Sequence, residues 1–146
     1  LLRGMKTLSL RIERQNQSAM TIARWLQQHP MVELVNYPGL ETHVHHEVAK
    51  KQMRGFGGML SFSVKGGLDA IKVFLPKLKY AHMAANLGCV ETVVGPPVVT
   101  SHVCRTSMSY SRYVTVLPAC FLIKRMVLGG GGICRPRYRF LLTFQE

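Results

Sequence analysis

Residues 5–29 form an unbroken run with neither glycine nor proline, and Pro30 ends it. Within that run Ile12, Ala19, Ile22, Ala23 and Leu26 return near one face at helical period, while Arg14, Gln15, Gln17 and Gln28 fall elsewhere. The spacing predicts one long amphipathic helix. Pro30 stops it, because proline has no N–H to donate and its ring crowds the preceding turn.

Short segments follow. Val32–Tyr37 reads as a strand, and Pro38-Gly39 as a turn. Glu47–Met53 reads as a short helix, and Gly57-Gly58 breaks the chain. Met59–Val64 sets Leu60, Phe62 and Val64 against Ser61 and Ser63, the alternation of a half-buried strand. After Gly66-Gly67, the residues Leu68, Ile71, Leu75 and Leu78 line one helix face, with Pro76 placed to kink or end it. Tyr80–Ala85, Thr92–Val94 and Val98–Thr100 read as strands, with Pro96-Pro97 as a rigid turn. The alternation of helix and strand predicts an α/β or α+β sandwich. Beyond His102 the pattern weakens. Val114–Leu117, Cys120–Ile123 and Tyr138–Phe144 remain as strand candidates, around four glycines at Gly129–Gly132.

Composition shifts at the same place. Residues 1–102 hold 12 basic and 6 acidic side chains, whereas 103–146 hold 7 basic side chains and only Glu146. Three of the four cysteines, Cys104, Cys120 and Cys134, lie in the second part, and Cys89 in the first. No C-x-x-C pair occurs, so reduced thiols are expected rather than a disulfide framework or a zinc site. A chain 47% apolar can build a core, and no apolar run reaches the ~18 residues of a bilayer span. The sequence opens at Leu1 inside a helical pattern, so a fragment is expected, and any targeting peptide would lie upstream.

The motifs carry little chemistry by themselves. His43, His45 and His46 cluster without a neighbouring cysteine or aspartate, and read as polar surface around a turn. Gly55-Phe56-Gly57-Gly58 lacks the spacing of a phosphate loop and precedes a strand, so turning and close packing explain it. Arg135, Arg137, Tyr138, Arg139 and Phe140 interleave charge with aromatic rings, as an RNA-binding segment can, but read as a solvated tail.

Several motifs in order are more specific. Arg3-Gly4-Met5-Lys6-Thr7-Leu8, Tyr37-Pro38-Gly39-Leu40 and His43-x-x-His46-Glu47-x-Ala49-Lys50 come first. Gln52-Met53-x-Gly55-Phe56-Gly57-Gly58-Met59-x-Ser61-Phe62, Leu87-Gly88-x-x-Glu91-Thr92 and Ser101-His102 follow. Together they resemble the C-terminal domain of the pyridoxal-phosphate-dependent trans-sulfuration enzymes, the family of cystathionine γ-synthase, cystathionine γ-lyase and methionine γ-lyase. The resemblance spans residues 1–102, with 1–29 as the interdomain helix, and leaves 103–146 as an unmatched basic tail.

The resemblance implies the small α/β domain of a fold type I enzyme, truncated here, and a homo-oligomer for the full-length family. It implies pyridoxal 5'-phosphate, bound mainly by a large domain not in this chain, and an amino-acid substrate: a homoserine ester, cystathionine or methionine. Neither nucleic acid nor membrane is expected as a partner. The cytoplasm is the expected compartment, with a plastid left open.

The family's Schiff-base lysine lies in a Ser-x-Thr-Lys motif that no lysine here matches, so no catalytic or cofactor-binding residue is expected in the chain. Ala85 and Asn86 occupy the pair just before Leu-Gly, beside the bound amino acid in the family, where many members have Glu-Ser. Ser101 stands where the family has threonine near the pocket. These three are the candidate substrate-binding residues. The arginine that holds the substrate carboxylate has no match after His102. Arg112-Tyr113-Val114 lacks the accompanying serine and glycine. The chain alone is therefore expected to be inactive. A frame shift, retained intron or alternative exon would account for the tail, and reading its codons in the other two frames tests that. The alternative role is a non-catalytic domain that docks on full-length subunits.

Overall fold

The computed structural model describes residues 2–84, 91–100 and 113–117, to which all structural statements below refer. The elements in order are α1 (Leu2–Met5), α2 (Leu8–Gln27), β1 (Val32–Asn36), α3 (His46–Gln52), β2 (Leu60–Val64) and α4 (Gly67–Phe74). A 3-10 turn, Leu75–Lys77, then leads to β3 (Ala81–Met83), β4 (Thr92–Gly95), α5 (Pro97–Thr100) and β5 (Tyr113–Leu117).

The long helix forms where the period placed it, with two differences. A turn at Lys6-Thr7 separates α1 from α2, and Arg11 bridges the break by donating from Nη2 to the Gly4 carbonyl at 2.9 Å. Ile12, expected on the buried face, is 44% exposed. Ala19, Ile22, Ala23 and Leu26 are buried as expected, because only the second half of α2 reaches the sheet. The helix ends at Gln27, three residues before Pro30, and a turn at His29–Val32 follows, with the Val32 amide donating to the His29 carbonyl at 3.0 Å.

The five strands lie in the order β1-β2-β5-β4-β3. All neighbours are antiparallel except β3 and β4. Phe62 stands opposite both Val35 and Val114, and Val116 opposite both Leu60 and Val94. Residues directly opposite one another project to the same face, so these six side chains form one apolar layer. Against it pack Ala19, Ile22, Ala23 and Leu26 of α2 and Ile71 and Phe74 of α4. The opposite face carries a small polar row, with Ser61 opposite Asn36 and Thr115. The rest of that face is mixed, with Leu34 beside Ser63 and a buried Val93. The result is a mixed α/β sheet fragment, in agreement with the expected class.

The alternation expected for residues 59–64 holds, but Ser63 is also buried, because β2 is an interior strand. Pro76 ends α4 early, as expected, by tightening the last turn into 3-10 geometry. The strand expected at Val98–Thr100 is instead the one-turn helix α5. Pro97 opens it with its fixed φ, and the Val99 amide closes it by donating to the Pro96 carbonyl at 3.0 Å. Val114–Leu117, a strand candidate, lies within β5 at the centre of the sheet. Cys120–Ile123 and Tyr138–Phe144 lie outside the described residues. Among the described residues no helix is long and apolar enough to cross a membrane.

Candidate functional site

Asn86, Ala85 and Ser101 all lie outside the described residues. Their chain neighbours fix where they are tethered. Ala84 follows the end of β3, and Thr100 ends the short helix that follows β4. β3 and β4 are parallel, with Ala81 beside Thr92 and Met83 beside Val94, so their carboxyl ends point the same way. Both strands therefore end at the same edge of the sheet.

A cleft of about 450 Å³ flanks these strands. Ala81, His82 and Met83 of β3 form one wall, Pro96 and Val99 another, and Leu68, Ile71 and Leu75 the floor. Its chemistry is apolar apart from Lys72 and His82. Lys72 is engaged with Asp69 at 3.2 Å, one helical turn back and at the surface. Such a cleft suits hydrocarbon, with the His82 imidazole and the Lys72 ammonium as its polar groups among the described residues.

The glycine-rich segment serves packing. A Cβ on Gly55 would meet Asn16 Nδ2 at 2.5 Å, and one on Gly58 would meet Gln15 Cβ at 2.8 Å. The segment thus lies directly on α2. Tyr37 locks it there: its hydroxyl donates to the Gly57 carbonyl at 2.9 Å, and its ring is 1% exposed. Burial pushes the Tyr37 phenol above its usual value. Nothing in the sequence marks Tyr37 for this role, since its partner lies 20 positions away.

The histidines are likewise structural. His46 Nδ1 is 2.8 Å from the Pro38 carbonyl, and its ring stacks on Phe56 with centroids 5.6 Å apart. His43 Nδ1 accepts from the His45 amide at 3.2 Å. Among the described residues no three histidine, cysteine or carboxylate side chains converge.

The described lysines do not fit pyridoxal phosphate. Lys6, Lys50, Lys51, Lys65, Lys72, Lys77 and Lys79 are all exposed, whereas a lysine holding the cofactor must lie in a closed pocket.

Comparison with known proteins supplies the family. The sequence model of the Cys/Met metabolism PLP-dependent enzymes matches residues 1–114, twelve residues past the end expected from the motifs. An L-methionine gamma-lyase of Fusobacterium nucleatum subsp. polymorphum is 47% identical over 102 residues, which is 70% of this chain and 26% of that protein. Cystathionine gamma-synthase 1, chloroplastic, of Nicotiana tabacum is 45% identical over 102 residues, 70% of this chain and 19% of its own length. The solved structure of metB from Corynebacterium glutamicum superposes with a TM-score of 0.78 at 37% identity, covering 85% of this chain and 33% of that one. The chain thus spans about a quarter of the length of the curated lyase it matches. It belongs to the family of PLP-dependent enzymes of cysteine and methionine metabolism.

Proposed function

We propose that this chain is the C-terminal small domain of a trans-sulfuration enzyme that uses pyridoxal phosphate to make or break a C–S bond at the γ carbon of a homoserine- or cystathionine-like amino acid. The observation that carries this reading is 47% identity over 102 residues with a methionine gamma-lyase, on a sheet that superposes on a family member. Residues 1–29 hold the helix that joins the domain to a large domain, the motif-bearing stretch is 1–102, and the domain continues into β5, with the divergent tail beyond it. Ala85, Asn86 and Ser101 border the substrate, a reading that rests on their match to the family motifs. Ala85 carries no charge where relatives select the distal end of the substrate, and Asn86 keeps a hydrogen-bonding group. The cofactor is held by the large domain, so the 146-residue chain is inactive alone.

Two measurements test this. The complete message, read upstream of Leu1 and across His102–Val103, is expected to encode the Ser-x-Thr-Lys lysine motif. A message that ends at this chain sinks the enzyme reading. The purified chain supplied with pyridoxal phosphate is expected to release no 2-oxo acid or thiol from methionine or cystathionine, and turnover would overturn the assignment of the cofactor to a large domain.

A second reading, docking on longer family subunits, rests on one observation. Leu2, Met5, Leu8 and Ile12 are exposed apolar residues that continue the buried stripe of α2. Co-elution with such a subunit, lost on Met5→Asp, supports docking; separate elution removes it.

A further inference from the structure

His29 closes the joint between α2 and β1 with two acceptors. Its carbonyl takes the Val32 amide at 3.0 Å, and its ring Nδ1 takes the Met31 amide at 3.2 Å. The Met31 carbonyl in turn accepts from the Lys65 amide at 2.9 Å, so the turn also ties down the end of β2. The ring packs on Trp25, centroids 5.1 Å apart. It shares a small cavity with Leu26, Met31, Val32, Phe62, Val64 and Phe74. The strand that begins at this joint is already irregular, its register shifting between Val32 and Leu34.

We propose that His29 is a proton-sensitive latch: the neutral ring holds the 29–32 turn closed, and protonation at Nδ1 releases the start of β1 from the sheet. A protonated Nδ1 is a donor, and it then confronts the Met31 N–H with no acceptor between them. No change elsewhere is needed, because the edge strand β1 is held there by the Val32–Val64 pair before the irregularity. The cavity walls from α2, β1, β2 and α4 carry no titratable side chain apart from His29. The charged residues next along the chain are Arg24, Glu33, Lys65 and Lys72, all exposed. Burial lowers the affinity of the ring for the proton. The sign follows: the latch contributes fully above the unfolded value of 6.5, and its contribution is lost as pH falls from there through the lower folded value.

Amide hydrogen exchange of the full 146-residue chain tests the proposal, residue by residue, at about pH 7.5 and about pH 5, corrected for intrinsic rates. Protection of Met31 and Val32 is expected to fall about threefold or more in acid, relative to Phe62 at the core of β2. The drop should vanish in His29→Asn, whose carboxamide oxygen can accept from the amide two residues on, as in an Asx turn, without titrating. Equal drops in the variant and the parent overturn the proposal, as does unchanged protection in the parent. Should the variant not fold, the ring of the parent decides. At neutral pH its proton is expected on Nε2, and a proton on Nδ1 refutes the latch.

Discussion

Tyr37→Phe isolates the bond that fastens the glycine-rich segment to the sheet. The phenol ring is 1% exposed and stays in place in the variant, so the apolar burial is unchanged. What is lost is one donor, which reaches the Gly57 carbonyl at 2.9 Å and lies 3.5 Å from the Asn16 carbonyl. A neutral hydrogen bond contributes about 1 kcal/mol net, and leaving a fully buried carbonyl unpaired adds about 1–3 kcal/mol. Gly57 is only partly buried, so water can rehydrate its carbonyl and the lower figure applies. The expected cost is about 1 kcal/mol, a fall in Tm of roughly 4 °C for a domain of this size. Urea and thermal unfolding followed by circular dichroism measure it. Alkaline titration gives a second, independent reading. Because burial raises the Tyr37 value above 10.0, its contribution is complete below 10.0 and is lost as pH rises through the folded value. The parent should therefore lose stability there, and the phenylalanine variant should lose less. A variant as stable as the parent, with the same alkaline profile, would falsify the claim that this hydroxyl fastens the segment.

Three further outcomes are expected. Gly39→Ala places a Cβ 2.6 Å from Tyr37 Cε1 and 2.7 Å from Met20 Cε, so it should cost about 1–3 kcal/mol by overpacking, read from the urea midpoint. Ile71→Ala empties a position with 0% exposure between α4 and the sheet, and should cost about 2–5 kcal/mol in the same assay. A chain cut after His102 lacks β5 and should lose the cooperative melt of the 146-residue chain; an unchanged transition would show that the sheet closes without that strand.

The sequence made visible what depends on neighbours in the chain. The second half of α2, strand β2 and the early end of α4 at Pro76 all follow from period or from one proline. What it hid depends on distant residues. Ile12 has the helical period of a core residue, yet the sheet does not extend beneath it. Val98 and Val99 are β-branched and read as strand, but the turn fixed by Pro96 and Pro97 overrides that preference in α5. Ser63 alternates as a surface residue and is buried, because β5 pairs with β2 from the far end of the chain. Tyr37 belongs to a family motif, but its bond and that of His29 are not legible in the sequence, since one acts through a carbonyl met only after folding and the other through an amide in its own turn. Ala85, Asn86 and Ser101 came from resemblance and lie outside the described residues.

The place of β5 bears on how the chain divides. Val114 and Val116 alternate with Tyr113 and Thr115, which suffices to read a strand but not its partners. In the structure β5 joins two otherwise separate pairs, β1–β2 through Ser61 beside Thr115 and β3–β4 through Gly95 beside Thr115. Without it, Leu60, Phe62 and Val94 lose the cross-strand neighbours Val116 and Val114 that complete the apolar layer. Charge and cysteine content change at 102–103, and the matched stretch of the curated lyase is of the same length, 102 residues. The family sequence model continues to residue 114, inside β5. A shift in composition records a change in what the chain carries on its surface. A sheet is delimited by hydrogen bonds and buried area, and by that physical criterion the folded unit includes Tyr113–Leu117.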